Sequence, residues 1–396
     1  MNSRFEQLQP YPFARLRSLL ADIRPNQALK PLRLSIGEPE HSPPGFVQDI
    51  LSQSGQYLSK YPPTSGSEEL RSTIANWITV RFRLNEGAID PESMVLPCNG
   101  TREALFAIAQ TLIDSDQGRK PLVLMPNPFY QIYEGAALLA GAETRFINNQ
   151  AETQIPDFDS VSEDDWKRCQ LLFICTPGNP SGVSLTLEQL KKLIRLADEF
   201  DFVIASDECY SELYLDESKP SPGLLEACGE LNRNDFDKCL VFHSLSKRSN
   251  LAGLRSGFVA GDPKLMEKFL LYRTYHGSAM SLQNQVASTA AWADENHVIE
   301  NRALYREKYE VIYPMLNGKL DFVMPDAGFY IWLKTPESDI DFASRLYKNQ
   351  HLTVLPGSFL SRETASGNPG AGYIRTALVS DLESCTEGMK RLLSEV

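Results

Sequence analysis

Residues 171–207, LLFICTPGNPSGVSLTLEQLKKLIRLADEFDFVIASD, contain two short apolar runs on either side of a segment with helical spacing. The runs Leu171–Thr176 and Phe202–Ser206 have the length and the Val, Ile, Leu and Phe content of strands that are buried on both faces. Between them, Leu187–Phe200 repeats apolar residues at the intervals of an amphipathic helix. A strand, a helix and a second strand in this order predict a parallel pair with a right-handed crossover.

The same alternation continues on both sides of this unit. Helices are predicted at Thr101–Ile113 and Gln131–Leu139. Five further apolar runs are predicted strands: Met94–Cys98, Leu122–Pro126, Thr144–Ile147, Leu240–His243 and Gly257–Ala260. We therefore predict an α/β fold whose large domain, residues 45–280, holds a mostly parallel, doubly wound sheet of about seven strands.

The last third of the chain has a different pattern. Helical spacing over Ser281–Glu310 is followed by short apolar runs that Gly and Pro turns separate. These runs are predicted strands: Phe322–Met324, Phe329–Leu333, Leu352–Leu355 and Tyr373–Ala377. We expect them to form a smaller α+β domain over residues 281–396, which the N-terminal segment 1–44 joins.

The composition argues against several classes of protein. The 396 residues include 39 Lys and Arg against 51 Asp and Glu, a formal charge of −12, whereas a nucleic-acid-binding protein needs a cationic face. No apolar stretch approaches the roughly 18 residues of a membrane span. Met1–Pro10 is polar and the seven cysteines form no C-x-x-C pair, so we expect a cytoplasmic protein with reduced thiols. The histidine and cysteine spacing predicts no metal site.

Polar residues follow several of the predicted strands. Ligands of open α/β sheets bind beyond the carboxyl ends of the strands, so these residues are candidates for a site. Asn99–Arg102 offers free backbone N–H groups at the start of a helix. Asp207 follows an apolar run, so its carboxylate would be partly desolvated. Ser244–Lys247 and Arg255 supply hydroxyls and cations for an anionic ligand.

Two further predicted strands are followed by candidate site residues. Tyr130 comes after Leu122–Pro126, and Asn179 lies in a rigid Pro-Gly-Asn-Pro turn after Leu171–Thr176. Each feature alone is compatible with an ordinary turn, an N-cap or a solvated lysine. Five of them in order at successive strand ends favour a functional site instead.

These motifs resemble those of the class I/II pyridoxal-phosphate-dependent aminotransferases, which have the aspartate aminotransferase fold. The resemblance covers nearly the whole chain, from Gly37-Glu38-Pro39 and Tyr61–Gly66 to Tyr373-Ile374-Arg375. Residues 244–257, SLSKRSNLAGLRSG, follow the family's lysine-attachment signature. Ser256 departs from the signature, because an aliphatic residue or Ala is usual there.

The resemblance implies roles around pyridoxal phosphate. Lys247 would attach the cofactor and transfer the proton of the substrate Cα as general base and acid. Asp207 would pair with the pyridine nitrogen, Tyr210 would hydrogen-bond the phenolic oxygen, and Tyr130 would stack on the ring. Cys209, between these motif residues, is expected to face the core.

The family likeness also implies a phosphate site and a substrate site. The phosphate would be held by Gly100, Thr101, Ser244, Ser246 and Arg255, and by Tyr61 from a second subunit, so a homodimer with a composite active site is expected. The substrate α-carboxylate would bind Arg375, with help from the Gly37 backbone and from Asn179, which is also expected at the cofactor.

The expected reaction moves an amino group between glutamate or 2-oxoglutarate and another amino acid. Gln9–Phe13 and the lysine segment look most like the bacterial N-succinyldiaminopimelate aminotransferases, a subgroup that acts in lysine biosynthesis. Candidates for the far end of such a substrate are Arg15, Arg17, Arg24 and Arg273.

Other functions stay open at this point. The chain could be an aminotransferase for alanine, aspartate or acetylornithine, or a C–S or elimination lyase on the same cofactor. A non-catalytic regulator would need a DNA-binding module ahead of the fold, and the early position of Gly37-Glu38-Pro39 and the charge of −12 argue against one.

Overall fold

The computed structural model describes residues 2–115 and 118–396 of the chain. In chain order, the helices are α1 (Pro12–Leu20), α2 (Gly45–Ser52), α3 (Glu68–Arg81), α4 (Thr101–Leu112), α5 (Ile132–Ala140), α6 (Glu163–Trp166), α7 (Leu187–Phe200), α8 (Leu224–Glu230), α9 (Leu245–Arg248), α10 (Pro263–His276), α11 (Leu282–Ala293), α12 (Asn296–Leu316), α13 (Asp339–Gln350) and α14 (Leu382–Leu393). The strands are β1 (Leu32–Arg33), β2 (Val95–Cys98), β3 (Leu122–Asn127), β4 (Glu143–Asn148), β5 (Cys169–Cys175), β6 (Val203–Asp207), β7 (Cys239–Ser244), β8 (Gly257–Gly261), β9 (Tyr330–Lys334), β10 (Leu352–Thr353), β11 (Leu355–Pro356) and β12 (Tyr373–Ala377).

A seven-stranded sheet forms the centre of the molecule, in the order β2-β8-β7-β6-β5-β3-β4. Strand β8 runs antiparallel to both of its neighbours, and the remaining neighbouring pairs are parallel. The predicted mostly parallel sheet is therefore confirmed, with each predicted strand of the large domain in place. Cys175 pairs with Asp207, so the carboxyl ends of β5 and β6 lie side by side.

Both faces of this sheet are covered, because successive side chains of a strand point to opposite faces. Leu172 and Ile204 pack in one apolar cluster with the buried face of α7. Leu171 and Ala205, one residue along, pack in a second cluster with α4 and α5. The result is a three-layer α/β architecture, in which runs of apolar residues without alternation are the expected sequence pattern.

Helix α7 has the predicted bounds, and local chemistry explains them. The Thr186 side chain accepts a hydrogen bond from the Gln189 N–H, and the Gln189 side chain accepts one from the Thr186 N–H. This capping box satisfies N–H groups that the helix start leaves free. The helix ends at Asp201, whose φ of 60° lies in the left-handed region.

A smaller sheet, in the order β11-β12-β9, packs beneath α12, α13 and α14. The N-terminal segment contributes β1, which pairs in parallel with β10 through Leu32 and Leu352. Leu34 continues into the apolar cluster of this region. The proposed division at residues 44 and 280 stays a prediction. Helix α11, which the division assigns to the smaller domain, packs in the large core, where Trp292 contacts Trp77.

Two predictions about this smaller sheet are wrong. Residues 322–324 form no strand: the neighbouring Asp321 carbonyl accepts one hydrogen bond from Lys334, and Pro325 has no N–H with which to extend a ladder. The run Leu352–Leu355 is divided between two sheets, since Leu352 pairs with Leu32 whereas Leu355 pairs with Arg375. In the described residues, no helix is both long and apolar enough to cross a membrane.

Candidate active site

A cavity of about 600 Å³ lies at the carboxyl edge of the central sheet, and the N-terminal segment and β12 close its other side. Its walls come from segments that are far apart in the chain. The predicted site residues that line it are Gly37, Thr101, Tyr130, Asn179, Asp207, Tyr210, Ser244, Ser246, Lys247, Arg255 and Arg375.

Lys247 projects into the cavity from α9, the short helix that follows β7. Its Nζ donates a hydrogen bond of 2.5 Å to the Gly37 carbonyl oxygen. Burial lowers the pKa of Lys247 to about 8, and the positive charge of Arg375 contributes to that shift. A lysine with this pKa is uncharged for part of the time near neutral pH, as a nucleophilic amine must be.

Asp207 stands buried at the end of β6. The Tyr133 hydroxyl donates to its Oδ2 at 2.7 Å, and the Cys209 N–H donates to its Oδ1 at 3.3 Å. Burial raises the pKa of Asp207, and the hydrogen bonds from Cys209 and Tyr133 oppose that rise. Within the described residues no Lys or Arg forms an ion pair with this carboxylate, so the geometry suits a cationic ligand atom.

Two hydroxyl groups and the start of a helix lie together in another part of the cavity wall. The Ser244 and Ser246 hydroxyl oxygens are 2.9 Å apart, and α4 begins nearby at Thr101. Gly100 precedes the helix with a φ of 80°, and a Cβ there would overlap the guanidinium of Arg255. This corner therefore combines a helix N-terminus, two hydroxyls and an arginine, which are groups that bind phosphate.

Arg255 itself is held in a strained conformation, with a φ of 55° in the left-handed region. Its guanidinium donates to the Ala252 and Asn99 carbonyl oxygens, at 3.0 and 3.3 Å. Non-glycine residues in this region cost on the order of 1–3 kcal/mol and cluster at functional sites. The guanidinium of this residue lies against the turn at Gly100.

Arg375 lies on β12 and is only 4% exposed. Its guanidinium donates to Asn179 Oδ1 at 3.0 Å and to the Ser35 carbonyl oxygen at 2.9 Å, while Nε has no partner among the described residues. The Tyr330 ring centroid is 4.3 Å from Cζ. A buried cation without a carboxylate partner in the described chain is costly, so the site is built to receive an anion.

These groups fit pyridoxal phosphate and an amino acid. The corner at Ser244 and Arg255 matches the phosphate, Asp207 matches a protonated pyridine nitrogen, and Lys247 is the amine beside them. When bound, the cofactor supplies a reactive aldehyde and a ring that withdraws electrons from the substrate Cα.

Some predicted residues lie elsewhere. Gly100 supports the wall behind Arg255 but does not line the cavity, and Tyr61 is fully exposed on this chain. Arg15, Arg17 and Arg24 are also absent from the lining. The implied contact of Tyr61 with a second subunit stays a prediction.

Arg273 does not reach the substrate side at all. It is completely buried, and its Nη1 donates to both carboxylate oxygens of Glu103, at 2.8 and 2.7 Å. Glu103 in turn accepts a hydrogen bond from the Asn99 N–H. Arg273 therefore stabilises the turn before α4 through Glu103, because its own helix, α10, packs against α4.

Sequence reasoning missed several residues of the site. Tyr133 contacts Asp207 and lies three residues after Tyr130, a helical spacing that could have indicated it. Arg102 was included only as the last residue of the Asn99–Arg102 turn, and Tyr330 carried no distinguishing pattern. The expectation that Cys209 faces the core is confirmed only in part, because Cys209 packs against the apolar cluster around Tyr210 and Phe329 but also lines the cavity. Its thiol is 3.0 Å from the hydroxyl of Thr101, another lining residue, because the chain turns out of the sheet after Asp207.

Comparison with known proteins shows the family of the chain. Residues 30–392 match the family model for aminotransferase class I and II. An LL-diaminopimelate aminotransferase from Nitratidesulfovibrio vulgaris is 29% identical over 396 residues, which is 98% of this chain and 97% of that protein. An aminotransferase structure from Neisseria meningitidis is 49% identical with a TM-score of 0.95, over 100% of this chain and 99% of the other.

A probable N-succinyldiaminopimelate aminotransferase from Thermus thermophilus shares the fold, with a TM-score of 0.86 and 24% identity over 97% of this chain and 100% of that chain. The family match spans both the central sheet and the smaller sheet, and it includes each strand end that contributes to the cavity. The chain therefore belongs to the class I and II aminotransferases, a family of pyridoxal-phosphate-dependent transaminases.

Proposed function

We propose that this enzyme transfers the amino group of N-succinyl-LL-2,6-diaminopimelate to 2-oxoglutarate, with LL-diaminopimelate itself as the second candidate substrate. The class of substrate rests on one observation, the buried Arg375 that has no carboxylate partner in the described chain and faces the same cavity as Lys247. The diaminopimelate skeleton is supported by the name of the relative from Nitratidesulfovibrio vulgaris and by the resemblance of the lysine segment.

Arg375 would bind the α-carboxylate through its two Nη groups, while Asn179 and the Ser35 carbonyl oxygen hold the guanidinium in place. The substrate Cα is then presented to Lys247. With its pKa lowered, the free Lys247 amine would remove the Cα proton as a general base and, once protonated, would deliver that proton as a general acid to C4′ of the cofactor, the carbon of its aldehyde. Asp207 would hold a proton on the cofactor nitrogen, and the hydrogen bond from the Tyr133 hydroxyl favours the charged form of Asp207.

The quaternary structure and location form part of the proposal. We infer a homodimer in which Tyr61 of one chain completes the phosphate site of the other, and the complete exposure of this tyrosine in the single chain supports it. The seven cysteines are all free thiols in the structure, which is consistent with a cytoplasmic protein.

A panel of half-reactions tests the substrate. The purified enzyme is mixed with glutamate, aspartate, alanine, acetylornithine, LL-diaminopimelate or N-succinyl-LL-diaminopimelate, and the conversion of bound cofactor to its amino form is followed by absorbance. Fast conversion by glutamate and the succinylated substrate is expected. No conversion by either diaminopimelate compound would refute the proposed substrate, and release of ammonia without the amino form would indicate an elimination lyase.

A further inference from the structure

A network of hydrogen bonds links the backbone at Lys247 to the end of β12 and has no role in the proposed function so far. It runs along one face of α12, which presents Asn301, Tyr305 and Lys308 at helical spacing. All three side chains are buried. His41, from the segment that leads into α2, lies across this face, with its ring centroid 4.4 Å from that of Tyr305.

Lys308 fixes the direction of the hydrogen bonds. Its Nζ donates to the Leu378 carbonyl oxygen at 3.0 Å and to the Val379 carbonyl oxygen at 3.5 Å, and it lies 2.7 Å from Nε2 of His41. A lysine ammonium has three donors and no acceptor, so Nε2 of His41 is the acceptor of the third hydrogen bond. Within the described residues, Lys308 forms no ion pair with a carboxylate.

The other ring nitrogen of His41 continues the network. Because Nε2 accepts, a neutral imidazole carries its hydrogen on Nδ1, which donates to Asn301 Oδ1 at 3.0 Å. Asn250 donates to the same oxygen at 2.9 Å, and the Asn301 amide nitrogen donates to the carbonyl oxygens of Lys247 and Arg248, both at 3.2 Å. These donors and acceptors are all matched when His41 is neutral.

His41 lies four residues after the point at which its segment reaches the cavity. The Gly37 carbonyl oxygen accepts a hydrogen bond from Lys247, and the Ser35 carbonyl oxygen accepts one from Arg375. In the described chain, the stretch between Gly37 and α2 forms no helix or strand. The contacts of His41 with α12 therefore anchor the segment that carries both carbonyl oxygens.

Protonation of His41 would break these contacts. A second proton on the imidazole turns Nε2 into a donor and places two cations 2.7 Å apart. Burial lowers the pKa of His41, the hydrogen bond to Asn301 opposes that shift, and the charge of Lys308 adds to it. The other charged and titratable groups near the pair are Glu40 on the same segment, Tyr305 and Glu307 on α12, and Asp381 and Cys385 at the start of α14.

We propose that neutral His41 is a positioning residue: it fixes the segment that carries the Gly37 and Ser35 carbonyl oxygens, and its protonation releases that segment. This inference rests on the proposed function, in which those two carbonyl oxygens hold Lys247 and Arg375. The anchored state is fully populated above the ordinary histidine pKa of about 6.5 and is lost as the pH falls below that value.

Hydrogen exchange of the holoenzyme tests the anchor without catalysis. Exchange of a peptide that spans residues 34–47 is followed by mass spectrometry at pH 8.0 and pH 5.0, and is corrected for the intrinsic exchange rate at each pH. For the wild type, the protection of this peptide is expected to fall about tenfold at pH 5.0. A peptide that covers α7 is the internal reference and should keep its protection.

Two variants assign that loss to His41. His41→Gln can still accept a hydrogen bond from Lys308 but does not titrate, so its protection should be the same at both pH values. Lys308→Met removes the donor, and the segment should exchange quickly at both pH values. His276→Gln, at an exposed histidine of α10, is the matched control and should show the loss of the wild type.

Steady-state kinetics connects the anchor to the site. KM for glutamate is measured from pH 8.0 to pH 5.0 in the wild type and in His41→Gln, and the ratio of the two values is taken at each pH. The titration of Lys247 affects both enzymes alike and cancels in this ratio. Below pH 6 the ratio is expected to rise about fivefold, because Arg375 loses its Ser35 contact, while the ratio of the kcat values stays constant.

An equal loss of protection in the wild type and in His41→Gln would overturn the proposal, as would full protection of the wild type at pH 5.0. A ratio of KM values that does not change with pH would overturn the positioning role. If protection depends on His41 but no amino acid converts the bound cofactor, the proposed function fails and the anchor stands. If glutamate converts the cofactor but protection does not depend on pH, the anchor fails and the aminotransferase function stands.

Discussion

The Tyr133 hydroxyl donates a 2.7 Å hydrogen bond to Oδ2 of Asp207, and both side chains are buried. Burial raises the pKa of Asp207, and the hydrogen bond from Tyr133 opposes that rise. Removal of this donor should therefore raise the pKa of Asp207 further. Tyr133→Phe should therefore favour the neutral carboxyl and weaken its pairing with the cofactor nitrogen. We expect the Kd of the apoenzyme for pyridoxal phosphate to rise about tenfold, measured by fluorescence titration. Tyr313→Phe, on the surface of α12, is the control, and equal affinities in all three proteins would contradict the role.

Lys247→Ala should abolish covalent attachment of the cofactor and transamination together. The side chain is the amine that the cavity places against the Gly37 carbonyl. Each protein is incubated with pyridoxal phosphate, reduced with borohydride and analysed by mass spectrometry. The wild type should show one modified lysine, Lys247, and the variant should show no modification. Lys264→Ala removes an exposed lysine and should behave as wild type. Attachment at the expected mass in Lys247→Ala would assign the reaction to another residue.

The rate of cofactor attachment should depend on pH around the pKa of Lys247, which burial lowers to about 8. Below that value the amine is protonated and unreactive, so the rate falls as the pH falls. From pH 8 to pH 6 we expect a decrease to about one fiftieth, set by the fraction of free amine. Stopped-flow mixing of apoenzyme with pyridoxal phosphate measures it, with Nα-acetyllysine as the reference amine. A midpoint near the ordinary lysine value of about 10.4 would contradict the buried environment.

Arg375→Lys keeps a positive charge but loses the planar pair of donors. The lysine cannot donate to Asn179, to the Ser35 carbonyl oxygen and to a carboxylate in the same geometry. We expect KM for glutamate to rise about ten- to hundredfold in steady-state assays. Arg24→Lys, on the exposed N-terminal segment, should leave KM unchanged. A KM within twofold of the wild type would argue against the role of Arg375.

Arg273→Met should destabilise the protein without altering substrate preference. The substitution leaves the Glu103 carboxylate without its bidentate partner beneath the turn at Gly100. Breaking a buried ion pair costs about 3–5 kcal/mol, and we expect about 3 kcal/mol because Glu103 is a quarter exposed. Urea unfolding measures the loss. A changed preference between glutamate and alanine, with stability intact, would restore Arg273 as a substrate residue.

Much of the fold was predictable from local sequence. Leu187–Phe200 has the observed bounds because both its apolar spacing and its capping residues lie within the segment. The seven strands of the central sheet were equally clear, since strands buried on both faces are continuous apolar runs. The run over residues 322–324 was as apolar but forms no strand, because a strand needs a neighbour that the run itself does not specify.

For the site, the sequence by itself determined which residues follow the strands of the central sheet, and hence that Asp207 and Lys247 would meet at one edge of it, whereas Arg375, in the middle of β12, was expected there only through the family resemblance. Only the tertiary structure decided what each arginine does. Arg273 finds Glu103 across 170 residues of chain, whereas Arg102 finds the Tyr130 hydroxyl and keeps its Nη groups free. The physical reason is that a periodic pattern specifies the direction of a side chain from its own element, while its charge partner depends on which other elements pack beside it.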